Sequence, residues 1–155
     1  MPSVYLGLGS NQGDKIENIK KAVMLISERV GVVFALSGFY KTLPHGYESS
    51  EIFINAALWI DTNLHPEELL LVTQEIENKI GRKEKTIDNK YHDRVIDIDI
   101  LLYEDQIIQT TDLTIPHPLM HCREFVLLPL SEIAPDLVHP VSGKTIAELR
   151  SQINK

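Results

Sequence analysis

Positive charge is scarce in this 155-residue chain: 15 Lys and Arg stand against 22 Asp and Glu, a formal net charge of −7. A general nucleic-acid coat needs a clustered basic surface, so that class is disfavoured. A single anionic ligand, held by a few arginines or by metal, is not. There is one cysteine, Cys122, so no intramolecular disulfide can form and a reducing, cytoplasmic setting is expected. Long apolar runs are also missing. The longest stretch without a charged side chain is Met1 to Gly13, well short of the ~18 residues needed to span a bilayer. No basic segment followed by an apolar one opens the chain, so no secretory leader is expected. Neither H-E-x-x-H nor clustered Cys and His spacing occurs, which argues against zinc. No Ser or Cys nucleophile motif stands out.

What is present reads as one α/β domain over residues 1–155. A chain of this size buries roughly 68–70% of its unfolded surface and needs no staple. Ser3–Gly9 predicts a strand, and Asp14 caps a helix whose apolar stripe is Ile16, Ile19, Val23, Ile26 and Val30. Val32–Tyr40 predicts a second strand and Thr42–Ser50 a loop. Glu51–Thr62 alternates, with Ile52, Ile54, Ala56, Leu58 and Ile60 on one face and Phe53, Asn55, Ala57 and Trp59 on the other. Pro66 opens a helix and Gly81 stands where its C′ glycine belongs. Lys83–His92 predicts a mobile loop, Arg94–Tyr103 a strand, and Ile107–Ile108 part of a short hairpin. His121–Ile133 is expected to be helical in part, and Thr145 with Glu148 forms a capping box for a last helix. The order β-α-β-β-α-β is the ferredoxin-like α+β pattern, with additional strand and helix elements at the C-terminus.

The strongest chemical signal is Arg94-Val-Ile-Asp97-Ile-Asp99-Ile. Residues two apart on a strand share a face, so Asp97 and Asp99 stand together roughly 6–7 Å apart at Cα. Ile96, Ile98 and Ile100 turn the other way. Paired carboxylates repel unless a cation or proton intervenes, and Mg²⁺ fits such a pair beside phosphate oxygens. A solvated strand face bearing two acids is the alternative. Gly7-Leu-Gly9-Ser-Asn-Gln-Gly13-Asp14 leaves a strand for a helix. Its third glycine comes one residue too late for a dinucleotide fingerprint, and no G-K-[ST] closes it, which favours a tight turn. Phe53 and Asn55 can stack a flat heterocycle and bond its edge, or can simply be surface. Gln74 and Glu77 share a helix face. His117, between two prolines, either contacts phosphate or caps a turn; spacing does not decide.

Together these segments resemble the 6-hydroxymethyl-7,8-dihydropterin pyrophosphokinase family of the folate pathway. The resemblance is carried by YLGLGSNQGD at Tyr5–Asp14, FYKTLPHG at Phe39–Gly46, FINAA at Phe53–Ala57, PEELL at Pro66–Leu70 and TQEIE at Thr73–Glu77. It continues through GR at Gly81–Arg82, DRVIDIDILLY at Asp93–Tyr103 and LTIPHPLMHCREFVLLPLSEIAP at Leu113–Pro135. It implies transfer of diphosphate from ATP to a pterin alcohol, with AMP leaving and two Mg²⁺ ions held by Asp97 and Asp99. It implies Arg82 and Arg94 as catalytic cations. Phe53 and Phe125 would sandwich the pterin, with Asn55, Thr42 and His45 completing its pocket. Gln74, Glu77, Arg82, Arg94, Ile100, Thr114, His117 and Arg123 would line the ATP site. Small-molecule substrates, a monomer, and neither nucleic acid nor membrane as partner are expected.

The chain departs from the family in places. Phe53 replaces a common tyrosine, and Tyr91-His92-Asp93-Arg94 replaces the usual W-G-P-R. Glu84 and Asp112 stand where arginines are common. These changes bear on loop contacts to ATP rather than on the acidic pair or the pterin pocket. Two other classes compete: a different Mg²⁺-dependent nucleotidyl- or phosphotransferase, and an RNA-binding module on a similar sheet. The second needs a basic face that this composition does not provide.

Overall fold

The computed structural model describes residues 1–42, 52–81 and 95–153. Of the loop expected at Thr42–Ser50, Thr42 belongs to a strand instead; the rest of it, the loop expected at Lys83–His92, and with them His45, Arg82 and Arg94, lie outside the described residues. The fold is α+β. The strands are β1 (Ser3–Ser10), β2 (Gly31–Leu36), β3 (Tyr40–Thr42), β4 (Phe53–Thr62), β5 (Asp97–Tyr103), β6 (Ile108–Gln109) and β7 (Thr114–Ile115). The helices are α1 (Lys15–Arg29), α2 (Pro66–Gly81), α3 (Glu124–Ile133) and α4 (Ile146–Ile153), with a 3-10 turn at Met120–Cys122. The main sheet runs β2-β4-β1-β5, every neighbouring pair antiparallel, and β3 also pairs with β4.

Local chemistry sets the element ends. The Asp14 carboxylate accepts from the Glu17 N–H at 3.2 Å and opens α1. At α4 both halves of the capping box form: Glu148 N–H donates to Thr145 Oγ1 at 3.1 Å, and Thr145 N–H donates to Glu148 Oε1 at 2.9 Å. Gly13 has φ +71°, a left-handed turn residue. The end of the glycine run is therefore a strand-to-helix turn, while Gly7 and Gly9 lie within β1.

Period-two alternation divides the core into two layers. Val4, Leu6, Leu8, Ile54, Ala56, Leu58, Ile60, Ile98 and Ile100 pack under α1 and α2. Tyr5, Ala57, Leu101 and Leu102 pack on the opposite side with Leu127 and Leu130 of α3 and Ile146 and Leu149 of α4. Each fully buried Leu or Ile contributes roughly 1.5–3 kcal/mol. Because α3 and α4 cover only part of the second side, the remainder is left for a site.

Several expectations are corrected. Val32–Tyr40 is not one strand: β2 ends at Leu36, and β3 then pairs separately with the start of β4. Ile16 is exposed rather than part of the α1 stripe, and Ala22 and Leu25 are buried there instead. Gly81 falls within α2 as its last residue rather than beyond it. No helix among the described residues is long and apolar enough to cross a membrane.

Candidate active site

The uncovered part of the second side is built on two glycines of β1. Gly9 lies in register with Asn55 of β4 and Asp97 of β5, and Gly7 with Ala57 and Asp99. Each row therefore has no side chain at its centre, which leaves a floor between the amide and the carboxylates. The floor has little room to spare. A Cβ on Gly9 would lie 3.0 Å from Asn55 Oδ1 and 3.9 Å from the Phe53 ring.

Asn55 is buried, so its amide must be satisfied by protein. Its Nδ2 donates to Thr42 Oγ1 at 2.7 Å. Thr42 is in register with Phe53, and Tyr40 with Asn55. Strand β3 thus aims the amide, and the structure brings Thr42, Phe53 and Asn55 together at one corner.

Asp97 and Asp99 share the glycine face of β5 and are half-buried, while Ile96, Ile98 and Ile100 are buried on the other side. Between the two acids, the Ile98 N–H donates to Glu77 Oε2 at 2.7 Å. The Glu77 carboxylate therefore anchors the outer edge of β5, a role that helix spacing alone did not reveal. Gln74, one turn earlier on α2, is exposed. The Ile100 side chain sits in the first core layer. Only its backbone, on the same outer edge as that of Ile98, is placed to meet a ligand.

His117 has a double anchorage. Its N–H donates to the Leu101 carbonyl at 3.0 Å, and its Nδ1 accepts from the Leu119 N–H at 3.3 Å. The turn-capping alternative is therefore realised by Nδ1, which leaves Nε2–H as the donor of a neutral ring. Burial, reinforced by the Arg123 guanidinium, pushes the imidazole below its ordinary value of 6.5, with Asp97 opposing. His117, Arg123 and Asp97 thus lie in one electrostatic neighbourhood. Arg123 stands at the N-cap of α3, its guanidinium 5.5 Å from the centre of the Phe125 ring. Phe125 packs against the second core layer, and Thr114 is half-buried on β7.

Residues 5–135 match the family described as 7,8-dihydro-6-hydroxymethylpterin-pyrophosphokinase. The chain belongs to this family. Its reaction is ATP-dependent transfer of diphosphate to the hydroxymethyl group of the dihydropterin, in folate biosynthesis. A Porphyromonas gingivalis 2-amino-4-hydroxy-6-hydroxymethyldihydropteridine pyrophosphokinase is 45% identical over 141 residues, 90% of this chain and 95% of its own length. An Aquifex aeolicus protein of the same name is 41% identical over 152 residues, 98% of this chain and 92% of its own. The folic acid synthesis protein FOL1 of Dictyostelium discoideum is 47% identical over 137 residues, which are only 20% of that longer protein. The wild-type Plasmodium falciparum HPPK-DHPS structure matches with a TM-score of 0.79 over 98% of this chain and 43% of its own. At 18% identity that likeness is one of fold.

Proposed function

We propose that Asp97 and Asp99 hold two Mg²⁺ ions beneath the polyphosphate of ATP, beside a pterin slot made by Phe53, Asn55, Thr42 and Phe125. One observation carries most of the weight: Asn55, Gly9 and Asp97 form a single row across three strands. A group that reads a ring edge and a group that holds a metal thus stand either side of a bare backbone. The donors suit a hard ion. They are carboxylate oxygens, and no group of three or more His, Cys, Asp or Glu converges among the described residues. Mg²⁺ takes one or two carboxylates and fills its shell with phosphate oxygens and water. When bound, it neutralises charge on the transferring group and lowers the pKa of the attacking alcohol.

The chain's own residues supply positioning, which is the larger part of phosphoryl-transfer catalysis. Phe53 and Phe125 stack the bicyclic ring, and Asn55, held by Thr42, bonds its edge. The neutral His117 offers Nε2–H to a phosphate oxygen, and Arg123 adds a fixed positive charge. Glu77 holds the strand between the two acids. The outer backbone edge at Ile100, with Gln74 and Thr114, is where the nucleoside rests. His45, Arg82 and Arg94 keep the roles that the family resemblance gives them. In the reaction the hydroxymethyl oxygen bonds to the β-phosphorus, the bond to the α-phosphate bridging oxygen breaks, AMP leaves, and the alcohol proton passes to solvent.

The strand order, with α1 and α2 on one side, supports assigning the core to the ferredoxin-like βαββαβ pattern. One chain carries every residue used here, so a monomer suffices. The lone exposed Cys122 suits a cytoplasmic setting. Replacing Asp97 by Ala tests the site. AMP release with pterin and MgATP should fall roughly 10²–10³-fold, the scale on which loss of one electrostatic stabiliser reads out, while circular dichroism stays unchanged. Undiminished AMP release would remove the metal role.

A further inference from the structure

The carboxylate of Glu132, near the end of α3, accepts from the Gly38 N–H at 3.0 and 3.2 Å through its two oxygens. It also accepts from the Tyr40 hydroxyl. Gly38 lies in the link between β2 and β3, and Tyr40 begins β3. Glu132 and Phe125 are seven residues apart on α3, two turns, and so share a helix face. At the other end of the tie, Tyr40 is in register with Asn55, and Thr42 of the same short strand holds the Asn55 amide. One carboxylate therefore joins the helix that bears Phe125 to the strand that aims Asn55.

We infer that Glu132, acting through Tyr40 and Gly38, is a positioning residue that sets the spacing and register of the pterin slot. Among the described residues, β3 is three residues long and pairs with β4 alone. Three ladder positions leave such a strand weakly fixed, and a charge-assisted bond from outside the sheet fixes it more firmly. The phenol is protonated at neutral pH and so donates, and the hydrogen bond to Glu132 raises its pKa further above the ordinary value. Glu132 touches neither substrate; its effect passes to the ring through Phe125 and Asn55.

This rests on the pterin slot proposed above, and the test separates the two. Three variants, Glu132→Ala, Glu132→Gln and Phe125→Ala, are titrated with a pterin analogue in the presence of a non-hydrolysable MgATP analogue, and with the nucleotide analogue alone. Glu132→Ala should weaken pterin binding about tenfold, the consequence of losing one charge-assisted hydrogen bond. Nucleotide affinity and kcat should stay within about twofold of the parent, with the change appearing in the KM for pterin. Glu132→Gln keeps an acceptor oxygen and should recover most of the loss. A merely structural role would weaken both ligands together and would lower the melting temperature in step. Equal losses for both ligands, or unchanged pterin affinity in Glu132→Ala while Phe125→Ala weakens it, would overturn the role of Glu132. Unchanged pterin affinity in Phe125→Ala would overturn the slot and the tie together.

Discussion

Replacing Gly9 by Ala separates the two things this glycine does. Its φ is not among the positive values of the chain, so an alanine fits the backbone without strain. The added Cβ meets Asn55 Oδ1 at 3.0 Å, a few tenths of an ångström inside comfortable contact. The amide must give way, and its other end is held by Thr42 at 2.7 Å. Weakening that bond costs about 0.5–1.5 kcal/mol. Removing a glycine from a strand interior returns about 0.5–1 kcal/mol of conformational entropy. The two terms oppose, so urea denaturation should move by no more than about 1 kcal/mol. Binding has no such compensation. A methyl group rises from the floor, and the amide turns away from the ring edge. Leaving one buried polar group unmatched costs about 1–3 kcal/mol, or roughly 5- to 150-fold in Kd. Calorimetric titration of a pterin analogue with non-hydrolysable MgATP measures it directly. A pterin Kd within twofold of the parent would mean that Asn55 does not read the ring. A loss of stability beyond about 3 kcal/mol would mean that the backbone, not the side chain, absorbs the contact.

Other measurements probe the electrostatics. In the metal-free protein, His117 should titrate below 6.5 by NMR; Asp97→Asn should lower it further, and Arg123→Gln should raise it. Because its folded pKa lies below the unfolded one, stability should decline as pH falls below 6.5 and level off beneath the folded value. Glu148 has a lowered pKa, chiefly from the hydrogen bond donated by the Thr145 backbone and then from the Thr145 hydroxyl. Its contribution is complete above its ordinary value of 4.5 and vanishes as pH drops through the lowered one. The melting-temperature gap between the parent and Glu148→Ala should therefore be present at neutral pH and should close in acid.

Period-two patterning made β4 and β5 legible, because each face meets a different layer of apolar side chains. Both capping residues, Asp14 and Thr145, were legible because an orphan N–H needs a local acceptor. The break between β2 and β3 was not. Val32 to Leu36 and Phe39 to Tyr40 are β-prone, but Ser37-Gly38 between them is a turn-type pair that the apolar pattern masked; there the Ser37 N–H donates to the Ala57 carbonyl and Gly38 bonds Glu132. The passage of α3 through Pro129 was equally hidden. A mid-helix proline costs about 3 kcal/mol, and burial of Leu127 and Leu130 outweighs it. At the site, the acidic pair and the Phe53–Asn55 corner followed from spacing. The anchoring by Glu77 did not, since its partner is a backbone group 21 positions away. Gly9 carried a readable hint: two glycines at alternate positions of a strand leave one face bare.

Strand β5 changes parity in its middle. Leu6 faces Ile100, but Tyr5 faces Leu102, so Leu101 is the supernumerary residue of a bulge. Up to that point odd positions look toward the acids' side, and afterwards even positions do, which is why Leu101 and Leu102 join one layer and Tyr103 the other. Length variation along this strand is therefore governed by a single hinge of bookkeeping. Excising Leu101 would restore plain alternation, and its penalty would be one interior leucine, about 2–5 kcal/mol. Excising Ile100 instead, with the register beyond it kept, would turn both carboxylates into the oily layer and bring Ile98 out on their side.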